Sequence, residues 1–153
     1  MSPFPVRALL VALVGAGLAS CDRGMVGPES QVRGVYNLRR VDAQPLPMAL
    51  WTENGQTLWL LAETLRFDGA GNVTRAYSWR RDSLGTAGEP QTLSLQLQYR
   101  VRAHGLDVGS FAPCPPNALC VAPDTGFFAL NLLWLDSHFY FGRRLSYQLG
   151  REN

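Results

Sequence analysis

Three cysteines, two histidines and a few acid-bearing turns are the side chains best suited to chemistry in this 153-residue chain. Cys114 and Cys120 stand either side of Pro-Pro-Asn-Ala-Leu, and Pro115, Pro116 and Asn117 supply a turn that can bring the thiols together. A disulfide, a pair of free thiols and a two-thiolate metal site are all open to such a pair. No other ligand-type residue stands at a supporting spacing, so no metal is expected. His104 and His138 both lie beside turns and are expected at the surface. Asp136-Ser137-His138 places the three residue types of a hydrolytic triad side by side, but neighbours in a strand or turn point apart, and no G-x-S-x-G turn occurs. Asp68-Gly69-Ala70-Gly71-Asn72 lacks the later ligands of a calcium loop, and the chain has no lysine to complete a phosphate loop; a tight hairpin turn is expected there. Neither catalysis nor a cofactor is expected.

The arginines give a second test. All 14 basic residues are arginine against 12 acids, for a net charge of +2, too near balance for nucleic-acid binding. Arg39-Arg40, Arg80-Arg81 and Arg143-Arg144 each sit in a strand-like stretch, so the two members of a pair face opposite sides.

At the N-terminus, Arg7 precedes an apolar run over residues 8–18. The run matches a signal-peptide core and is too short to cross a bilayer. It ends in Leu18-Ala19-Ser20-Cys21, which resembles the lipobox of bacterial lipoproteins, L-[AS]-[GAS]-C, at every position. The resemblance implies that residues 1–20 are a cleaved signal peptide and that the Cys21 thiol is diacylated. Two or three acyl chains would hold the protein firmly on a membrane of the bacterial cell envelope, facing the periplasm, with inner or outer membrane left open. Residues 22–31, with Gly24, Gly27, Pro28 and Ser30, read as a flexible tether. An export signal implies an oxidising compartment, which favours the Cys114–Cys120 disulfide, worth about 2–3 kcal/mol for so short a loop.

Positioning falls to strands. Hydrophobic residues make up 46% of the chain, enough for one folded domain, expected over residues 32–150. Within residues 92–103, Leu93, Leu95, Leu97, Tyr99 and Val101 share one face while polar residues take the other. Tyr36 and Leu38 share a face in residues 32–41, as do Leu61, Leu65 and Phe67 in residues 57–67, and Val73, Tyr77 and Trp79 in residues 73–81. Residues 106–112, 127–135 and 139–149 complete the strand pattern, with the cysteine turn at residues 113–123 and room for one short helical turn in residues 48–54. Seven or eight strands with short connections predict an all-β fold, an antiparallel up-and-down β-barrel.

Gly34-x-Tyr36-x-Leu38 followed by Val41-Asp42-Ala43-Gln44-Pro45-Leu46-Pro47 resembles the opening of lipocalin-like and calycin-like bacterial lipoproteins, G-x-[WY]-x-L and then V-[DN]-G-x-x-L-P. Tyr stands where Trp is more usual. The resemblance implies a barrel whose first-strand aromatic lies at the closed end beneath an arginine of the last strand. Gly34, Tyr36 and Arg143 would then form the closure, since Arg143 shares the parity of Phe139, Phe141, Leu145 and Tyr147 and could stack on Tyr36. It also implies that the segment from Asp42 to Gln56 lids the barrel. Trp79, Tyr99, Phe139 and Phe141 would line the interior, which holds either a small hydrophobic ligand or only packed side chains. The first makes the protein a non-catalytic binder; the second makes it a structural or interaction protein of the envelope.

Overall fold

A computed structural model of the chain describes residues 32–129, 132–140 and 142–150; the leader, Cys21, the tether and Phe141 lie outside the described residues. All regular structure among the described residues is extended. The strands are β1 (Arg33–Val41), β2 (Gln44–Pro45), β3 (Met48–Glu53), β4 (Gln56–Asp68), β5 (Asn72–Ser83), β6 (Gln91–Arg102), β7 (Gly105–Gly109), β8 (Asp124–Ala129), β9 (Leu132–Ser137) and β10 (Arg143–Leu149). They form one antiparallel sheet in the order β2-β1-β10-β9-β8-β7-β6-β5-β4-β3, and β1 also pairs with β4. That pairing closes β1 and β4 to β10 into an eight-stranded up-and-down barrel, with β2 and β3 appended outside the ring.

β1 is the closing strand. Tyr36 lies opposite Leu149 of β10 on one side and Leu65 of β4 on the other. Beyond Asn37 the two seam strands part: β1 keeps β10 and gains β2, while the first half of β4 pairs with β3. The barrel is therefore tight at the end where β1 starts and splayed at the other. Val32, Tyr36, Phe67 and Tyr99 are buried at the tight end. Tyr99 reaches across to donate to the Val32 carbonyl at 3.0 Å, and Phe67 meets the rings of Tyr36 and Tyr99 edge-on at 5.5 and 5.0 Å.

Alternation explains most of the core. Leu95, Leu97, Tyr99 and Val101 of β6 turn inward, as do Leu133 and Leu135 of β9 and Leu145 and Tyr147 of β10. In β4 the pattern slips by one. A bulge between Leu60 and Ala62 makes Leu60, not Leu61, the fully buried residue, after which Glu63, Leu65 and Phe67 face in.

Four local expectations change. Residues 48–53 form β3, not a helical turn, and Asn54 and Gly55 both take positive φ (49° and 75°) and close a hairpin onto β4. The segment from Asp42 to Gln56 is accordingly β2, β3 and their turns. The apolar stretch 127–135 is two strands, β8 and β9, paired with each other, so a continuous apolar run concealed a hairpin. Residues 138–140 are a turn and the last strand starts only at Arg143, because the Asp124 carboxylate takes the amides of His138 and Phe139.

Candidate functional site

A buried ionic cluster stands in the middle of the barrel. Arg75 of β5 shares its inward face with Val73 and Tyr77 and is 2% exposed. Its Nε donates to Glu63 Oε1 of β4 at 2.7 Å, and its Nη1 donates to Asp124 Oδ2 of β8 at 2.8 Å. Glu63 also accepts from the hydroxyls of Tyr140 and Tyr147. Asp124 Oδ2 accepts from Ser137 Oγ at 2.8 Å, and Oδ1 takes the backbone amides of His138 and Phe139 at 2.7 and 3.3 Å. Both carboxylates act only as acceptors, with every oxygen engaged. The guanidinium also rests against the rings of Phe139 and Tyr140, 4.8 and 5.2 Å from their centroids.

The electrostatics agree with that arrangement. Burial works to lower the Arg75 pKa, but the oxygens of Tyr147, Glu63 and Asp124 outweigh it, and the guanidinium stays charged. Burial, reinforced by the charge on Glu63, pushes the Tyr140 and Tyr147 hydroxyls well above the usual phenol value. Within the cluster, Arg75 Nη2 is buried and makes no hydrogen bond.

Arg75 and Asp124 are also in the wall of a cavity of about 580 Å³ at the splayed end. Its other walls are Leu95, Leu97, Val108 and Phe139 from the barrel and the loop of residues 110–123, which folds over the mouth. Cys114 and Cys120 are joined as a disulfide, and both line this space. Phe139 separates it from a second space of about 370 Å³ bordered by Leu50, Tyr77, Trp79 and Leu93. Gly109 is needed where the loop leaves the barrel, since a Cβ there would stand 2.8 Å from the Pro123 Cα.

Trp79 and Phe139 thus border these spaces, whereas Tyr99 packs at the tight end, away from both. Gly34 and Tyr36 lie on the closing strand. Arg143 does not meet Tyr36. The register sets Leu149 beside Tyr36, so Arg143 stands six residues farther along β10, at the splayed end. There its Nη2 donates to the Leu50 carbonyl of β3 at 3.1 Å. Asp136, Ser137 and His138 point apart: Asp136 binds Arg144 at 2.7 Å, Ser137 faces inward to Asp124, and His138 is exposed. His104 is exposed as well. In the 68–72 turn, the Asn72 side-chain amide donates to Asp68 Oδ2 at 2.7 Å and the Ala70 and Asn72 backbone amides donate to Oδ1 at 2.7 and 3.0 Å, which together hold the carboxyl below the usual range. Among the described residues no group of three or more His, Cys, Asp or Glu could hold a metal ion.

Sequence reasoning missed Arg75, Glu63, Asp124, Tyr140 and Tyr147. A signal existed for two of them: Arg75 has the parity of Val73, Tyr77 and Trp79, and Glu63 that of Leu65 and Phe67. An ionisable residue in an apolar row demands a partner. No protein-family model, curated protein or solved structure matches the chain.

Proposed function

We propose that the protein is a lipid-anchored, non-catalytic binding protein of a bacterial cell envelope, and that it holds a small hydrophobic molecule at the splayed end of its barrel. The observation that carries this reading is the 580 Å³ cavity between the barrel interior and the cystine loop, mostly apolar in lining with a few fixed polar groups. An eight-stranded barrel is wide enough for packed side chains or for one small ligand; here side chains fill the tight end and a space remains at the splayed end. The anchor rests on Leu18-Ala19-Ser20-Cys21 closing an apolar leader. The opening of β1, Gly34-x-Tyr36-x-Leu38, supports kinship with lipocalin-like lipoproteins.

Two measurements test the reading. Titrating the purified protein with Nile red, a neutral apolar dye, should give saturable dye emission and a change in tryptophan fluorescence, Trp79 being at the wall of the neighbouring space. No saturable signal would mean that the barrel serves only to display its loops. Substituting Cys21→Ala should move the protein from the membrane fraction to the soluble fraction; unchanged fractionation would remove the anchor.

A further inference from the structure

Alternation alone would set Arg39 and Arg40 on opposite sides of β1, and a bulge prevents it. Leu38 pairs with Tyr147 and Arg40 with Ser146, which leaves Arg39 as the extra residue. Leu38 and Val41 are both buried, and the two arginines between them both turn outward and are exposed. Among the described residues the ion pairs use Arg75, Arg80, Arg102 and Arg144, not Arg39 or Arg40. Asp42, the next acid along the chain, accepts the Arg144 backbone amide instead.

The two arginines form one bank of a groove of about 810 Å³ on the outside of the barrel. Ser146 and Gln148 of β10 make its floor, Leu132 and Trp134 of β9 its other bank, and no acid lines it. Phe127 of β8 lies across from Trp134 and is 45% exposed, so the apolar side continues past the groove. An aromatic bank facing two guanidinium groups suits the surface of an anionic phospholipid bilayer. Indole rings favour the interfacial layer, and guanidinium takes phosphate oxygens in pairs. The chain itself supplies the proximity. Ten residues, 22–31, separate Cys21 from Val32, which precedes β1. Fully extended they span about 35 Å, so an acylated Cys21 keeps β1 within that distance of the bilayer however the domain turns. Such tethering gives an effective concentration of about millimolar, at which a weak face suffices.

We propose that this groove docks on the anionic phospholipid surface of the membrane that carries the anchor, Arg39 and Arg40 taking lipid phosphates while Leu132, Trp134 and Phe127 enter the interfacial layer. The inference rests on the anchor reading above and goes beyond it, because acyl chains hold the protein at the membrane and the docked face sets how the barrel is turned.

The test places protein purified from membranes, acyl anchor included, on phosphatidylcholine vesicles with and without phosphatidylglycerol. Flotation reads the anchor, and hydroxyl-radical oxidation of individual residues, followed by mass spectrometry, reads the face. The protein should float with both vesicles. Two arginines beside an anionic surface shift the docked population by about tenfold or more, so Phe127 and Trp134 should be oxidised far less on the anionic vesicles. Trp51, exposed on β3 and outside the groove, should be oxidised equally on both. High salt, or an Arg39→Gln, Arg40→Gln double variant, should restore oxidation on the anionic vesicles. Equal oxidation of Phe127 and Trp134 on both vesicles, or protection that survives the double variant, overturns the inference and leaves the anchor standing. Protection that grows with protein concentration in detergent alone assigns the groove to a second copy and overturns it as well. So does protection in native membranes that vesicles of their extracted lipids do not reproduce, which assigns it to a protein partner. Failure to float with the neutral vesicles removes the anchor reading; protection on the anionic ones would still support the groove, and its absence would remove both.

Discussion

At the residue scale, Tyr147 and Tyr140 hold the cluster through hydroxyls that must stay protonated to donate to Glu63. Burial and the neighbouring Glu63 charge raise both above the ordinary phenol value of 10.0. In the unfolded chain the same hydroxyls release their protons near that ordinary value. The unfolded state therefore binds fewer protons than the folded one once the pH exceeds about 10, and stability falls with further increase at about 1.4 kcal/mol per pH unit for each tyrosine. Below that value their contribution is fully present. Denaturant melts at stepped alkaline pH should thus show a steep loss of stability, with phenolate absorbance from these two rings appearing only as the protein unfolds. Tyr147→Phe should flatten the alkaline limb while lowering stability at neutral pH, because Glu63 loses a donor. An unchanged alkaline slope would show that the Tyr147 hydroxyl already titrates in the folded barrel.

At the element scale, the seam strands part at the splayed end, and one side chain spans the gap. Arg143, at the start of β10, donates to the Leu50 carbonyl of β3 and reaches the Met48 sulfur at 3.9 Å. Its neighbour Arg144 makes a solvent-exposed pair with Asp136 on the outer face. Replacing Arg143 by Ala should cost about 1.5–3 kcal/mol, the range for a hydrogen bond from a charged donor, and should raise hydrogen exchange along β3. Arg144→Ala should leave stability close to wild type, as exposed pairs generally do. Equal losses in chemical denaturation would remove the strap role. Strand content was legible wherever alternation ran unbroken: Leu93 to Val101 announced β6 and its inward face. It was obscured where something other than periodicity set the boundary. The bulge at Leu60 and Ala62 shifted a parity, and the Asp124 carboxylate turned residues 138–140 out of strand conformation from 14 positions away. The cluster was only half legible for the same reason. Parity flags Arg75 and Glu63 as inward, but nothing local reveals that Asp124, 49 positions beyond Arg75, completes the pairing.

At the scale of the whole molecule, the barrel divides its length between closure and opening. The tight end is packed by Tyr36, Phe67 and Tyr99, the middle is locked by the ionic cluster, and the remaining space lies under the 110–123 loop. That loop contributes no strand to the ring, so its order matters to the mouth more than to the fold. The cystine is the constraint that can hold it there, since Ala112, Pro113, Cys114, Pro115, Cys120 and Val121 all face the cavity. Loop-closure entropy assigns so short a ring about 2–3 kcal/mol, and local opening of the loop need not unfold β1 or β4 to β10. A Cys114→Ser, Cys120→Ser double variant should therefore keep the strand circular-dichroism spectrum of the wild type and lose no more than that in global stability. Its affinity for Nile red should nevertheless fall by about tenfold or more, because a mobile loop must be ordered anew each time a ligand is enclosed. Wild-type affinity in the double variant would mean that the ligand sits wholly within the strands. Loss of the folded spectrum would mean that the loop is part of the barrel's own cooperative unit.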